Sequence, residues 1–222
     1  MLKLTMAVFI ILSASCARNP AHGQSAQPDR IFTHVTAETT VADVVNNPAF
    51  DGFGQFIFPI KNRPAYDRNM RIGNINSLLP YHSNINAHTT VNVINYMLDE
   101  VKNGNTIFYH FYTDEQRQID RNKESTGLFF FRGNPGTPFA VVCTGGGFSY
   151  VGSIHESYPL AIKLSKKGYN AFAIEYRVGS ERSATEDLAM ALSFIFRNAQ
   201  MFEVSTDNYS LLGQFGGRAN GG

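Results

Sequence analysis

Two glycine-rich stretches stand where chemistry could be done. Thr144-Gly145-Gly146-Gly147-Phe148 follows the apolar run Phe139-Ala140-Val141-Val142-Cys143, and Gly213-Gln214-Phe215-Gly216-Gly217 follows Tyr209-Ser210-Leu211-Leu212. Glycines at the end of a buried strand let backbone N–H groups turn toward a developing oxyanion, each such donor being worth about 3 kcal/mol in the transition state. The second stretch has the spacing of a Gly-x-Ser-x-Gly nucleophile elbow, whose serine stands exposed on a sharp strand-to-helix turn. Its central position here is Phe215, which has no ionisable or nucleophilic atom. Acyl transfer at that position is therefore excluded.

The first stretch is no dinucleotide fingerprint, since the sixth residue from Gly145 is Tyr150, and the chain has no Gly-Lys-Ser/Thr phosphate loop. His82, His88, His110 and His155 lack a Cys, Asp or His partner at ligand spacing and read as surface or core residues, not as a metal site. His155 lies close enough to the glycine loop to be considered for a substrate contact, and Ser149 and Ser153 flank the loop with no base nearby in sequence. Cys143 sits in mid-strand pattern and reads as a small buried hydrophobe.

The elements that must position these residues alternate along the chain from Thr106. Thr106 to Tyr112 and Thr126 to Arg132 are aromatic-rich strand candidates, and Asn134-Pro135-Gly136 makes a turn before the Phe139 strand. A helix is expected over Glu156 to Lys167, a strand over Asn170 to Tyr176, a helix over Ala184 to Asn198 capped by Ser183 or Thr185, and a last strand over Tyr209 to Leu212. Apolar strands alternating with helices indicate an α/β protein with a mostly parallel sheet covered on both faces. Upstream, Val91, Ile94, Met97, Leu98 and Val101 recur at helical spacing, with Thr90 as the expected N-cap and Gly104 closing the helix.

The whole chain of 222 residues, 43% hydrophobic and 17% charged, can bury a core. A net charge of +1 without a long like-charge run gives no reason to expect nucleic acid or an anionic membrane surface as partner. Lys3, the apolar run Leu4 to Leu12 and small residues up to Cys16 read as an export signal, too short to span a bilayer. Leu12-Ser13-Ala14-Ser15-Cys16 resembles a lipoprotein processing site that would leave lipid on Cys16; cleavage near Ala17 or Ala26 with simple secretion is the other reading. The division that follows is 1–16 signal, 17–30 polar tether, 31–105 N-terminal extension and 106–222 catalytic-type domain.

Thr144 to Phe148, Glu175-Tyr176-Arg177, Ala184-Thr185-Glu186-Asp187 and Asn208 to Gly213 come in an order that resembles the α/β-hydrolase family, in its carboxylesterase and lipase branch. The resemblance covers about Thr106 to Gly217, with Thr144 in place of the family's histidine and Glu175 in place of its aspartate. It implies a partial α/β-hydrolase fold, mostly parallel with flanking helices and missing its C-terminal strands and helices. It also implies an oxyanion hole at Gly145, Gly146 and Gly147, an elbow marked by Gly213 and Gly217, small-molecule or carbohydrate esters as substrates, and neither metal nor organic cofactor. Arg177 and Asp187 read as a structural ion pair under the loops. A triad in the order Ser, Asp or Glu, His cannot be assembled, since the last acidic residue is Asp207 and the last histidine His155.

The sequence therefore reads as an exported, catalytically silent relative of serine esterases, cut short by a frame error or gene truncation. With suitable third bases, Gln214 to Gly221 read one base later spell Ser-Ser-Ala-Gly-Ala-Gln-Met-Ala, which restores a serine in place of Phe215. The competing reading is a ligand- or glycan-binding pseudoenzyme using Phe53, Phe56, Tyr109 and Tyr112 as stacking surfaces, although such rings serve core packing equally well.

Overall fold

A computed structural model describes residues 32–59, 67–78 and 85–213. The expected signal, the tether, Cys16, His82, Phe215 and Gly217 lie outside the described residues.

Five strands form one sheet: β1 (Phe108–Tyr109), β2 (Gly127–Phe131), β3 (Pro138–Cys143), β4 (Asn170–Glu175) and β5 (Ser205–Gly213), in the order β1-β2-β4-β3-β5. The sheet is mixed. β4 and β5 run parallel to β3, while β2 is antiparallel to both β1 and β4. β2, β3 and β4 are near-continuous apolar runs because both faces are covered, whereas β5 is largely exposed. Phe129, Phe131, Val142, Ala171 and Ala173 face one core. Their sequence neighbours Leu128, Phe130, Val141, Phe172 and Ile174 face the other. Phe130 and Phe172 stack with ring centroids 4.5 Å apart across the β2/β4 pair.

Three short helices and two long ones flank the sheet: α1 (Val41–Val45), α2 (Ala87–Lys102), α3 (Asp114–Ile119), α4 (Ser157–Lys166) and α5 (Glu181–Arg197), with α6 (Ala199–Phe202) following directly. α4 buries Tyr158, Ala161 and Ile162 on the first core, where the small Ala171 and Ala173 admit it closely. α5 buries Ala191 and Ile195 on the second. Because β4 and β5 lie on opposite sides of β3, the strand order reverses at β3, and the crevice beyond the carboxyl ends there is where open α/β sheets place ligands.

Several boundaries differ from the sequence-based expectation. α2 starts a turn before Thr90, since the side chain of Asn86 accepts the Thr89 N–H at 2.8 Å. The expected strand over Thr106 to Tyr112 shrinks to two residues, because Phe111 and Tyr112 turn away into the second core. α3 then forms from a Thr113/Gln116 capping box. α5 begins at Glu181, capped by Ser180, whose hydroxyl accepts the Ser183 N–H at 3.1 Å. Residues 32–59 share the first core with the sheet: Phe53 stacks on Phe108 at 5.3 Å and meets Phe129 edge-on at 5.8 Å.

Candidate active site

The carboxyl end of β3 passes directly into the glycine loop, and the register pairs Cys143 with Gly213 at the end of β5. The sheet therefore brings Gly145, Gly146 and Gly147 beside the first residue of the elbow, and all four line one cavity of about 470 Å³ with Leu188 and Leu212.

Several peptide groups around the loop have defined partners. The Thr144 carbonyl accepts from the Tyr176 hydroxyl at 2.7 Å, and the Gly145 N–H donates to Glu156 Oε2 at 3.0 Å. The Gly146 carbonyl accepts the Ser149 N–H at 2.9 Å, and the Phe148 carbonyl accepts the Gly179 N–H at 2.7 Å. Among the described residues no acceptor takes the N–H of Gly146 or Gly147. Of the three glycines expected to form the oxyanion hole, Gly145 is thus already engaged, and the two that follow keep their donors. Gly146 has φ of +151°, and a Cβ there would meet the Tyr150 carbonyl oxygen at 2.0 Å, so only glycine fits.

Tyr176 is the residue that ties β4 to the loop. It is buried, and burial, with Glu175 and other acidic neighbours adding to it, raises its phenol above the usual tyrosine range. It remains a hydrogen-bond donor throughout the working pH range. Cys143 lines the same cavity, but burial pushes its thiol up to about 11, so it is protonated and no nucleophile at neutral pH.

Arg177 and Asp187 form the ion pair expected from sequence, at 2.8 Å, with more around it. Asp187 is fully buried and accepts from the Tyr112 hydroxyl at 2.7 Å and the Arg177 backbone N–H at 2.6 Å. Asp120 and Glu186 also reach the guanidinium, at 3.4 and 3.2 Å. Burial alone would lower the Arg177 pKa, but the hydrogen bond and charge of Asp187 reverse this and raise it. This cluster fixes the loop after β4 and stands off the glycine loop.

The other candidates disperse. His88 lies on α2 beside Asn92, and burial with the nearby Arg117 lowers the pKa of His110. His155 and Ser153 are buried beneath the loop, with the Ser153 hydroxyl 3.2 Å from that of Thr144. Ser149 is exposed, and its hydroxyl reaches only the Gly147 carbonyl at 3.5 Å. Among the described residues no group of three or more His, Cys, Asp or Glu is placed to hold a metal ion. Phe56 and Tyr112 are buried and Phe53 and Tyr109 half-buried, and all four rings pack against other aromatic rings. Sequence reasoning missed Glu156 and Tyr176 as tethers of the loop. Neither stands at a spacing from the glycines that marks it.

No protein-family model matches the sequence, and no curated protein matches it. Among solved structures the chain is similar to MGS-M1, an α/β-hydrolase enzyme from a Medee basin deep-sea metagenome library, at 23% identity over 39% of this chain and 40% of that one, with a TM-score of 0.36. It is similar also to esterase Est2 of Thermogutta terrifontis, at 19% identity over 40% of this chain and 35% of that one, with a TM-score of 0.37. Esterase LipW of Mycobacterium marinum shares 14% identity over 48% of this chain and 33% of that one, with a TM-score of 0.40. The chain thus spans between 33 and 40% of the length of these proteins. Its own mixed five-stranded sheet with helices on both faces agrees with a partial α/β-hydrolase fold.

Proposed function

We propose that this chain carries the oxyanion side of a carboxylic-ester hydrolase site, with the Gly146 and Gly147 N–H groups as the donors. The observation that carries the reading is the loop itself: the Gly145 N–H and the carbonyls of Thr144, Gly146 and Phe148 are tied down, while among the described residues the Gly146 and Gly147 amides have no acceptor at the sheet end where β5 delivers Gly213. Donors fixed before charge develops need no reorganisation in the transition state. Small-molecule esters are the substrate class, acyl groups on carbohydrate being the narrower choice that the family resemblance adds. With phenylalanine at 215 the chain has no nucleophile at the elbow, so we infer a silent scaffold. Export rests on residues 1–16, and lipid on Cys16 is tested by incorporation of labelled palmitate, which Cys16→Ala abolishes.

Acetate tests the loop in the chain as it exists, because its carboxylate presents oxygens like the oxyanion. In a ¹⁵N-resolved titration the Gly146 and Gly147 amides are expected to shift and the Gly145 amide to stay. No shift at either, or an equal shift at Gly145, removes the assignment. A serine-directed fluorophosphonate is expected to leave the chain unlabelled, and specific labelling would overturn the silent reading.

A further inference from the structure

We propose that Glu175 and Tyr158 form a proton-controlled latch that fastens the N-terminal segment at Phe56 to the end of β4, closed when the Glu175 carboxyl holds its proton and released when it does not. Three elements far apart in sequence meet here. The Tyr158 hydroxyl, on α4, lies 3.0 Å from the Phe56 carbonyl oxygen and 2.9 Å from Glu175 Oε1. Tyr158 is fully buried and Glu175 is 6% exposed.

The hydrogens decide the state of the carboxyl. A phenol has one hydrogen, and two oxygens stand within bonding distance of it. If Glu175 is ionised, the phenol can satisfy either the carboxylate or the Phe56 carbonyl, and the other contact becomes an encounter of lone pairs. If Glu175 is protonated, its O–H donates to Tyr158 Oη, the phenol donates to the Phe56 carbonyl, and both contacts are hydrogen bonds.

Among the described residues no cation pairs with the carboxyl to offset this preference. From α4 the carboxyl is faced by Tyr158 and from the loop before α4 by the hydroxyl of Ser153, while Tyr176, the residue after β4, is influenced by its charge. β2 pairs with it through Gly127, which has no side chain. Arg177 and Arg121 line a cavity of about 520 Å³ shared with Glu175, Gln55 and Phe56. Arg177 is committed to Asp187, Asp120 and Glu186, and Arg121 is largely exposed beside Glu124. Burial accordingly pushes the Glu175 carboxyl up to about 8, with Ser153 and Tyr158 pulling the other way.

That direction fixes the pH response. The folded chain holds the proton more tightly than the unfolded one, whose carboxyl titrates near 4.5. Stability from this site is full below that value, declines as pH rises, and is lost once pH passes about 8. On ionisation the carboxylate takes the phenolic hydrogen, the Phe56 carbonyl loses its donor, and water must enter through the shared cavity, whose wall is formed by Gln55, Phe56, Phe58 and Pro59.

Hydrogen exchange on the intact chain at pH 6 and pH 9, corrected for the intrinsic rate, reads the latch directly. One pH unit past the titration point changes proton occupancy about tenfold, so protection of a peptide spanning Phe53 to Pro59 should fall by about that factor while β4 keeps its own. Glu175→Gln, whose amide donates at every pH, should abolish the step. A step of equal size in Glu175→Gln, or none in the unaltered chain, overturns the latch. Should the variant fail to fold, infrared spectra of the unaltered chain with isotope-labelled glutamate decide: a protonated carboxyl band at pH 7 that vanishes above about 8 is expected, and its absence at pH 6 refutes the proposal.

Discussion

Asp187 and Glu175 are both buried carboxyls near the end of β4, yet the chain surrounds them with different donors. Asp187, on α5, receives a guanidinium and a backbone N–H from the loop after β4 and a phenol from Tyr112. Glu175 receives a phenol that is shared with a backbone carbonyl and the hydroxyl of Ser153, and among the described residues no guanidinium bonds to it. Burying a charge is tolerable only where partners replace its water. The same depth therefore supports an ion pair in one place and a neutral acid in the other.

Breaking the ion pair is the largest test of this contrast. Asp187→Ala leaves Arg177 without its principal partner and should cost about 4 kcal/mol in urea denaturation at pH 7. Tyr112→Phe removes one donor from the same carboxylate and should cost about 2 kcal/mol, as hydrogen bonds to charged groups do. Tyr158→Phe removes a bond of the neutral set and should cost about 1 kcal/mol at pH 6. A loss from Tyr158→Phe larger than that from Tyr112→Phe would show that both carboxyls are charged and would collapse the comparison.

The central strands were legible in the sequence because they are buried on both faces and so read as unbroken apolar runs, as in Phe139 to Cys143 and Ala171 to Ile174. The glycine loop was legible for a related reason: three glycines directly after such a run have a backbone role or none. Phe111 and Tyr112 misled the strand assignment, since their aromatic character suits a strand and only the fold shows them turning into the second core. The start of α2 was hidden because its first turn, Ala87 to Thr90, lacks the apolar repeat. Contacts between distant residues left no local mark. Phe56 and Tyr158 are 102 positions apart, and Glu156 meets Gly145 only because the chain folds back over β3.

Phe148 closes the glycine loop with φ of +59°, in the left-handed region where a side chain costs about 1–2 kcal/mol. Glycine would hold the same backbone more cheaply, so Phe148→Gly is a substitution in which relief of strain opposes the loss of a ring packed against the second core. The loop is therefore tensioned at its outer end and pinned at its inner end by Tyr176 and Glu156. Between these two anchors, Gly146 and Gly147 are held as a taut span whose shape is set from both sides, so that a change at Gly179 or at Glu156 reaches the same pair of amides.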